Sequence, residues 1–335
     1  MNILSSLNER FTFGLKALVL TVGLSAVHAQ AVADNKKIVV ADQNEIIQTM
    51  MRVSGIQKEL GFNVEFANFA GGPAILEAFR GDALDVALVG STPPVQAHVA
   101  GEHIPIIAAV DTQRPAYYFA LKPGLEVRDL KALKGTKIAY AEGSARQTFV
   151  LAALQRGGLS PKDVTLVPLR VQDFPDAVRT GQVDVAPLIE PHFSRYVGND
   201  ADRDKRFIPI AATRGLPSHI QYLYANGKTL RDPVKEQEVR AFAAAWHRAY
   251  QWVTLHPQEW AKAYYQDQLG LDADDAKRIV QSDGPLVIPT LKSLVKAQQE
   301  IIDLIHGAGD IPKRLDAAEE FDFSFDAKPA SAGGV

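Results

Sequence analysis

The sequence contains no cysteine in 335 residues, and this absence excludes several kinds of chemistry. Without thiols the chain can form neither disulfides nor thiolate metal sites, and it has no cysteine nucleophile. It also lacks the cysteine to which a bacterial lipoprotein signal attaches lipid. A secreted protein without that anchor needs an outer membrane to retain it, so the expected compartment is the periplasm of a Gram-negative cell.

An excess of positive charge is also missing. The formal net charge is −3 at pH 7, so the chain shows no basic footprint for nucleic acid. Common catalytic motifs are absent as well: there is no Gly-x-Ser-x-Gly elbow, no His-Glu-x-x-His zinc motif and no Gly-x-x-x-x-Gly-Lys phosphate loop. None of the eight histidines has the spacing and nearby carboxylate of a metal site. We therefore expect no metal, no cofactor and no enzymatic activity.

Long apolar runs are scarce. The run from Leu15 to Val27 is shorter than the roughly 20 residues that a membrane-spanning helix needs. Arg10 and Lys16 lie at its start and small residues follow it, which is typical of a cleavable secretory signal. We expect residues 1–33 to be a signal peptide. The small residues allow cleavage after Ala29, Ala31 or Ala33, of which Ala33 is favoured.

From Lys37 onward, short β-branched runs alternate with helical segments, as in parallel sheets covered by helices. The predicted strands are Lys37–Ala41, Asn63–Phe66, Val86–Val89, Ile106–Ala109, Lys137–Tyr140, Thr165–Pro168, Val183–Leu188 and Phe207–Ala211. The predicted helices between them are Glu45–Leu60, Pro73–Arg80, Ser144–Arg156 and Phe174–Thr180. After Asn226 the pattern becomes helical, with Asp232 and Pro233 at the start of a long amphipathic helix.

A weak internal repeat indicates two lobes of similar plan. Lys37-Ile38-x-x-Ala41-Asp42 recurs as Lys137-Ile138-x-x-Ala141-Glu142, and Leu84-Asp85-Val86-Ala87 recurs as Val183-Asp184-Val185-Ala186. Between them, Tyr117–Leu121 and Gln221–Ala225 read as two crossover strands that form a hinge. The sequence thus predicts an α/β fold with two doubly wound sheets joined by two crossover strands. The expected ranges are 36–117 with 225–320 for lobe 1, 122–220 for lobe 2, and 321–335 for a C-terminal tail.

Ligands of open parallel sheets bind beyond the carboxyl ends of the strands, so the strand-to-helix turns are the candidate site. Glycines let backbone N–H groups approach a ligand, and helix N-termini attract anions. The candidate ligand contacts in these turns are Gln43, Gly72, Pro73, Gly90, Ser91, Thr92, Ser144 and Glu190. Each turn alone is equally compatible with an ordinary helix cap.

Arg114, Arg146 and Arg214 lie in or beside loops near the predicted cleft, and an arginine can pair with a sulfonate or sulfate group. Arg114 and Arg146 are the two that we place among the candidate ligand contacts. The alternative, a solvated surface arginine, stays open for each.

The order of the motifs resembles the solute-binding proteins of aliphatic sulfonate, taurine and related ABC importers, a group similar to nitrate and pyrimidine-precursor binders. The motifs that carry the resemblance are Phe69-Ala70-Gly71-Gly72-Pro73, Leu84-Asp85-Val86-Ala87, Gly90-x-x-Pro93-Pro94, Leu133-Lys134-Gly135-x-Lys137-Ile138-Ala139, Glu142-Gly143-Ser144, Leu151-x-x-Leu154-x-x-Gly157-Gly158-Leu159 and Gly181-x-Val183-Asp184-Val185. Taken in this order they form a specific signature over nearly the whole chain after the signal.

This resemblance implies a two-lobed periplasmic binding protein fold of type II that closes on a ligand. It also implies a monomer that delivers a small anionic organic ligand, an organosulfur compound, to an ABC permease and ATPase complex. Two positions depart from the family pattern. Leu188-Ile189-Glu190-Pro191-His192 stands where a tryptophan and an aspartate usually precede the proline, and Gln147 occupies a usual histidine position.

Three rival functions remain open at this point. A binding protein for nitrate or a pyrimidine precursor would use the same fold, and so would a periplasmic sensory module that feeds a membrane kinase. An enzyme is disfavoured, because the pyrimidine-precursor synthases and porphobilinogen-deaminase-like enzymes that resemble this fold depend on cysteine. The loss of the tryptophan near Leu188 should leave room for an organic tail, which favours a ligand larger than nitrate.

Overall fold

The computed structural model describes residues 37–217, 220–282 and 284–326. The expected signal peptide and the end of the C-terminal tail lie outside these residues. The strands are β1 Lys37–Asp42, β2 Asn63–Asn68, β3 Val86–Val89, β4 Ile106–Asp111, β5 Tyr118–Leu121, β6 Lys137–Tyr140, β7 Thr165–Pro168, β8 Val185–Leu188 and β9 Ile220–Ala225. No helix of the described ranges is both long and apolar enough to cross a membrane.

Helices cover both sheets. Those before the second crossover are α1 Ile46–Val53, α2 Gly72–Arg80, α3 Thr92–Val99, α4 Ala145–Arg156, α5 Phe174–Thr180, α6 His192–Val197 and α7 Ile210–Thr213. Those after it are α8 Pro233–Leu255, α9 Pro257–Trp260, a π-helical continuation Ala261–Gln268, α10 Ala273–Gln281 and α11 Leu291–Ala308. Short 3₁₀ turns occupy Ile56–Glu59, Leu130–Leu133, Pro161–Asp163, Val171–Asp173, Arg203–Lys205, Thr229–Arg231, Ala317–Glu320 and Phe323–Phe325.

The strands form two separate sheets, and each sheet is the centre of one lobe. The first has the order β2-β1-β3-β9-β4 and the second has the order β5-β8-β6-β7. In the first, β1 pairs in parallel with β2 and β3, whereas β9 runs antiparallel between β3 and β4. In the second, β6 pairs in parallel with β7 and β8, whereas β5 runs antiparallel to β8. The predicted α/β fold with two sheets is confirmed.

The two predicted crossover segments are strands, and each lies in a sheet as an antiparallel member. The chain leaves the first sheet after β4 and enters the second through β5, then returns to the first through β9. Tyr222, Leu223 and Tyr224 of β9 are at most 1% exposed, because their strand is central in its sheet. The two connections between the lobes are therefore anchored in the cores that they join.

Two predicted elements were wrong in part. The segment Phe207–Ala211 is not a strand, because only Phe207 bridges to Ala120 and residues Ile210–Thr213 are helical. Pro209 explains this, since it has no N–H to continue a ladder. The predicted helix Glu45–Leu60 ends at Val53, because Gly55 adopts a left-handed conformation with φ of 76° and a 3₁₀ turn follows.

The C-terminal helices contact both lobes. Asp232 caps α8 by accepting bonds from Val234 N and Lys235 N, as the sequence predicts. Leu304 and Ala308 of α11 pack against the core of the second lobe, although the sequence assigns this segment to lobe 1. The described part of the predicted tail, residues 321–326, is also packed: Phe321 is 7% exposed and Asp326 accepts a bond from Leu291 N.

Candidate ligand-binding cleft between the lobes

A cavity of about 140 Å³ lies between the two lobes, and both sheets and both crossover segments contribute to it. Four predicted contacts line it: Gln43, Gly90, Arg114 and Glu190. Its remaining lining is largely aromatic and apolar, and consists of Asn44, Ile46, Leu88, Val89, Pro115, Ala116, Tyr117, Tyr118, Ile189, Ile220, Gln221, Tyr264, Tyr265 and Leu269. The cavity is thus at the carboxyl ends of strands, as predicted for open parallel sheets.

The first-lobe wall is held in place by hydrogen bonds at the end of β1. Gln43 donates through Nε2 to the carbonyl of Leu88 at 3.0 Å, which fixes its amide beside the cavity. Asp42 accepts bonds from Gln43 N and Gln48 N at 2.7 and 2.9 Å. Burial raises the pKa of Asp42 to about 6, against the effect of these backbone donors. The residue that precedes Gln43 is therefore a buried carboxyl group that is costly to ionise, and it lies outside the lining of the cavity.

Arg114 and Glu190 approach the cavity from the hinge and from the second lobe. Arg114 donates through Nη1 to the Tyr265 hydroxyl at 2.7 Å, and its guanidinium lies 5.9 Å from that ring's centre. Glu190 accepts bonds from Ser194 N at 3.2 Å and from the Ser194 hydroxyl at 3.1 Å. Burial raises the pKa of Glu190, while the positive charges of Arg114 and Arg203 oppose that rise. Among the described residues that line the cavity, Glu190 is therefore the one carboxyl group, and the charge of Arg114 acts on it.

Arg146 is the least expected feature of the site. It is the second residue of α4 and is only 8% exposed, so it is not the surface arginine of the alternative interpretation. The guanidinium lies 5.4 Å from the ring centre of Tyr117, a residue of the cavity wall. Burial lowers the pKa of Arg146, and within residues 37–217, 220–282 and 284–326 no carboxylate forms an ion pair with it. Arg214, by contrast, is exposed.

The glycine and hydroxyl turns of the two lobes contact each other directly. Thr92 and Thr148 share a hydrogen bond of 3.0 Å between their hydroxyls, across the lobes. A Cβ on Gly90 would lie 2.5 Å from the Cβ of Ala145, so only glycine permits this approach. The Ser144 hydroxyl donates to the carbonyl of Ala141 at 2.7 Å. The lobes therefore meet at this side of the cleft.

Other predicted contacts lie further from the cavity. A Cβ on Gly72 would meet Pro93 at 2.4 Å, so its glycine serves the packing of α2 against α3. Pro73 is exposed at the start of α2. The carbonyl of Ser91 accepts a bond from Gln298 Nε2 at 2.8 Å, and Ser91 lines a different cavity. The structure thus brings four of the ten candidates to the cleft and places Arg146 behind its wall.

The sequence-based prediction missed the aromatic residues of the wall. Tyr117 and Tyr118 were read only as part of the hinge, and Tyr264 and Tyr265 were not singled out. The Tyr-Tyr pairs were the available signal, because tyrosine combines an apolar ring with a hydroxyl and is common in binding sites. Gln147 is also engaged within the protein, because its Oε1 accepts a bond from Gly143 N at 2.8 Å and its Nε2 donates to Asp310 at 2.6 Å.

A cavity between two α/β lobes that are joined by two crossover strands defines the periplasmic binding protein fold. Solved structures agree. The periplasmic aliphatic sulphonate binding protein SsuA of Escherichia coli is 18% identical with a TM-score of 0.67, covering 86% of this chain and 92% of that one. SsuA of Xanthomonas axonopodis pv. citri, an alkanesulfonate-binding protein bound to MOPS, is 22% identical with a TM-score of 0.74, covering 86% and 98%.

Sequence comparison identifies the family. Residues 54–260 match the family described as NMT1/THI5 like. A Bacillus subtilis (strain 168) protein named as an aliphatic sulfonates-binding protein is 30% identical over 281 residues, which cover 82% of this chain and 81% of the relative. The chain belongs to the NMT1/THI5-like family, and the relatives named above are binding proteins and not enzymes.

Proposed function

We propose that this protein binds an organosulfur anion in the interlobe cleft and delivers it to an ABC permease and ATPase complex. The ligand class is an alkyl- or arylsulfonate, taurine or a sulfate ester. The protein acts as a monomer in the periplasm, after its signal peptide is removed. The observation that carries the proposal is the buried guanidinium of Arg146, which lacks a carboxylate partner among the described residues and flanks the cleft.

A buried arginine without a counter-ion is energetically unfavourable. Removing an ion from water costs several kcal/mol even after the protein relaxes, and arginine does not escape this cost by losing its proton. The Tyr117 ring offsets part of it, since a cation–π contact contributes about 0.5–2 kcal/mol. A ligand with a negatively charged head near Tyr117 would supply the missing counter-charge. The free protein is therefore prepared for an anion.

The lobes contribute complementary parts of this site. Arg114 belongs to the crossover segment after β4, and Arg146 lies in the first turn of α4 in the second lobe. Backbone N–H groups at the start of α4 add the partial positive charge of a helix N-terminus. Among the described residues that line the cavity, Glu190 is the one carboxyl group, and burial raises its pKa. The balance of charge in the cleft favours an anionic head group.

The names of the relatives support a sulfonate over the competing anions. The Bacillus subtilis relative is named for aliphatic sulfonates, and the Xanthomonas protein with the same fold is bound to MOPS, a ring-bearing sulfonate. Leu188 itself leaves no room for an organic tail, because this side chain is 2% exposed and packs in the second-lobe core. Its neighbour Ile189 lines the cavity instead. A small aliphatic residue at that position still leaves room for an organic tail.

Titration calorimetry of the mature protein tests the proposal. The panel comprises alkyl- and arylsulfonates, taurine, a sulfate ester, nitrate and a pyrimidine precursor, each titrated at the same ionic strength because anion binding is screened by salt. We expect one site per monomer, selective for the organosulfur anions, and no turnover of the bound ligand. Binding confined to nitrate or to a neutral pyrimidine would refute the organosulfur assignment and leave the binding-protein class intact.

A further inference from the structure

A second cavity of about 210 Å³ adjoins the cleft inside the first lobe. We call it the tail chamber. Four residues line both spaces: Ile46, Arg114, Gln221 and Tyr265. These shared residues form the junction, so a molecule in the cleft and a molecule in the tail chamber would contact the same side chains.

Apolar side chains form most of the walls of the tail chamber, and four of the lining residues are buried. Met50, Tyr250, Trp260 and Tyr265 are each at most 5% exposed. Further lining comes from Val253, Val280 and Leu286, while Thr112 and Gly284 contribute near the junction and the exposed Thr254 and Pro257 form the outer rim. An aromatic wall of this kind favours hydrocarbon, and the charged side chain among its described lining residues, Arg114, lies at the junction with the cleft.

The hydroxyl groups of the wall do not make the tail chamber polar, because they are engaged at the junction. The Tyr265 hydroxyl accepts a bond from Arg114 Nη1 at 2.7 Å, and the Tyr250 hydroxyl donates to Gln221 Oε1. Trp260 stacks on Tyr264 with ring centres 4.5 Å apart, which fixes its indole in the wall. Polar groups are thus concentrated on the cleft side, and rings and aliphatic carbons face the remainder of the space.

We propose that the tail chamber receives the apolar body of the ligand while the anionic head stays in the cleft. This inference rests on the proposed function and narrows its ligand class. The preferred ligands are arylsulfonates and alkanesulfonates of about six to eight carbons, since an apolar cavity of about 150 Å³ already holds a benzene ring. Taurine is a poor ligand on this account, because its ammonium group would lose its water in an apolar space that offers no carboxylate among its described lining residues.

A chain-length series tests the proposal. Titration with alkanesulfonates from methanesulfonate to octanesulfonate, and with benzenesulfonate and taurine, measures the contribution of each carbon. We expect affinity to rise about fourfold per methylene until the tail chamber is filled, from the free energy of burying one CH₂. Taurine should bind more weakly than propanesulfonate.

Variants locate the effect. Val253→Phe places a ring in the tail chamber and should bring the ratio of octanesulfonate to methanesulfonate affinity close to one. Thr254→Trp at the rim provides a second test if Val253→Phe folds poorly. The matched control is Val234→Phe on the same helix, where the side chain is 53% exposed and distant from the tail chamber. It should leave the ratio unchanged.

Trp260 supplies an optical readout of the same event. Octanesulfonate should shift tryptophan emission, methanesulfonate should not, and the shift should be lost in Trp260→Phe. If methanesulfonate binds and all alkanesulfonates of the series bind with equal affinity, the proposal that the tail chamber receives the ligand's apolar body is overturned, while the proposed function is preserved. If no sulfonate binds at all, the proposed function itself is overturned.

Discussion

Replacing Arg146 with methionine separates ligand binding from folding stability. The substitution keeps a long, flexible side chain and removes a charge that is 8% exposed. A hydrogen bond to a charged group contributes about 1.5–3 kcal/mol, so the dissociation constant for a sulfonate should rise about ten- to hundredfold. The free protein loses a cation–π contact with Tyr117, but it is also relieved of a buried charge that costs several kcal/mol. We therefore expect the ligand-free variant to be as stable as the parent, or more stable.

Thermal unfolding with and without ligand measures both effects. At a ligand concentration of 100 times the parent's dissociation constant, binding stabilises the parent by about 2.7 kcal/mol. A variant that binds a hundredfold more weakly gains only about 0.4 kcal/mol under the same conditions. Arg214→Met, on the same lobe and exposed, is the matched control and should behave like the parent. A ligand-free Arg146→Met protein that is clearly destabilised, with unchanged affinity, would contradict the reasoning.

Three further predictions concern the cleft and the residues around it, and a fourth concerns the N-terminus. Gly90→Ala should prevent full closure of the two lobes, because the added Cβ would lie 2.5 Å from the Cβ of Ala145 in the other lobe. Solution scattering should show less ligand-induced compaction in this variant than in the control Gly61→Ala, where the added Cβ has open space around it. Ser144→Ala should lower unfolding free energy by about 0.5–1.5 kcal/mol, measured by denaturant titration. Asp42 has a pKa raised to about 6, so its contribution to stability is present below pH 3.8 and lost as pH rises through 6. Asp42→Asn should remove a fall of about 3 kcal/mol between about pH 3 and pH 7. N-terminal sequencing of the periplasmic protein should show cleavage after Ala33.

Each of these predictions has its own contradicting result. Unchanged compaction in Gly90→Ala would show that the lobes close by another path. An affinity loss of ten- to hundredfold in Ser144→Ala would mean that its hydroxyl leaves the Ala141 carbonyl and binds the ligand's head. Parallel stability–pH curves for the parent and Asp42→Asn would refute the raised pKa. An intact Met1 on the periplasmic protein would refute the signal peptide.

Much of the fold could be predicted because its signals are local. The strands Val86–Val89, Lys137–Tyr140 and Thr165–Pro168 have the predicted bounds, since their short, largely apolar runs are flanked by turn residues. The apolar stripe of α8 is buried as its spacing indicates, with Val239, Phe242 and Trp246 fully enclosed. Phe207–Ala211 failed because one proline outweighed the β propensity of its neighbours. The contact of α11 with both lobes depends on tertiary packing, which has no local signal.

The site was less predictable than the fold, because which side chains are buried or line the cavity depends on how the two lobes pack together. The turns around Gly90 and Ser144 face each other, as the idea of paired lobes requires, and they pack together, so that Gly90 lines the cavity whereas Ser144 does not. Nothing in the sequence distinguishes the buried Arg146 from the exposed Arg214. The tail chamber combines residues from α1, α8, α9 and the loop before α11, and no spacing rule connects segments so distant in the chain.

A crystal structure of the mature protein with octanesulfonate tests the central claim most directly. The account predicts the sulfonate group between the lobes, in the cavity lined by Gln43, Gly90 and Tyr117, with its negative charge facing Arg146. The alkyl chain should extend past Arg114 toward Trp260. A sulfonate bound outside the interlobe cavity, or a cleft that stays empty at saturating ligand, would contradict it.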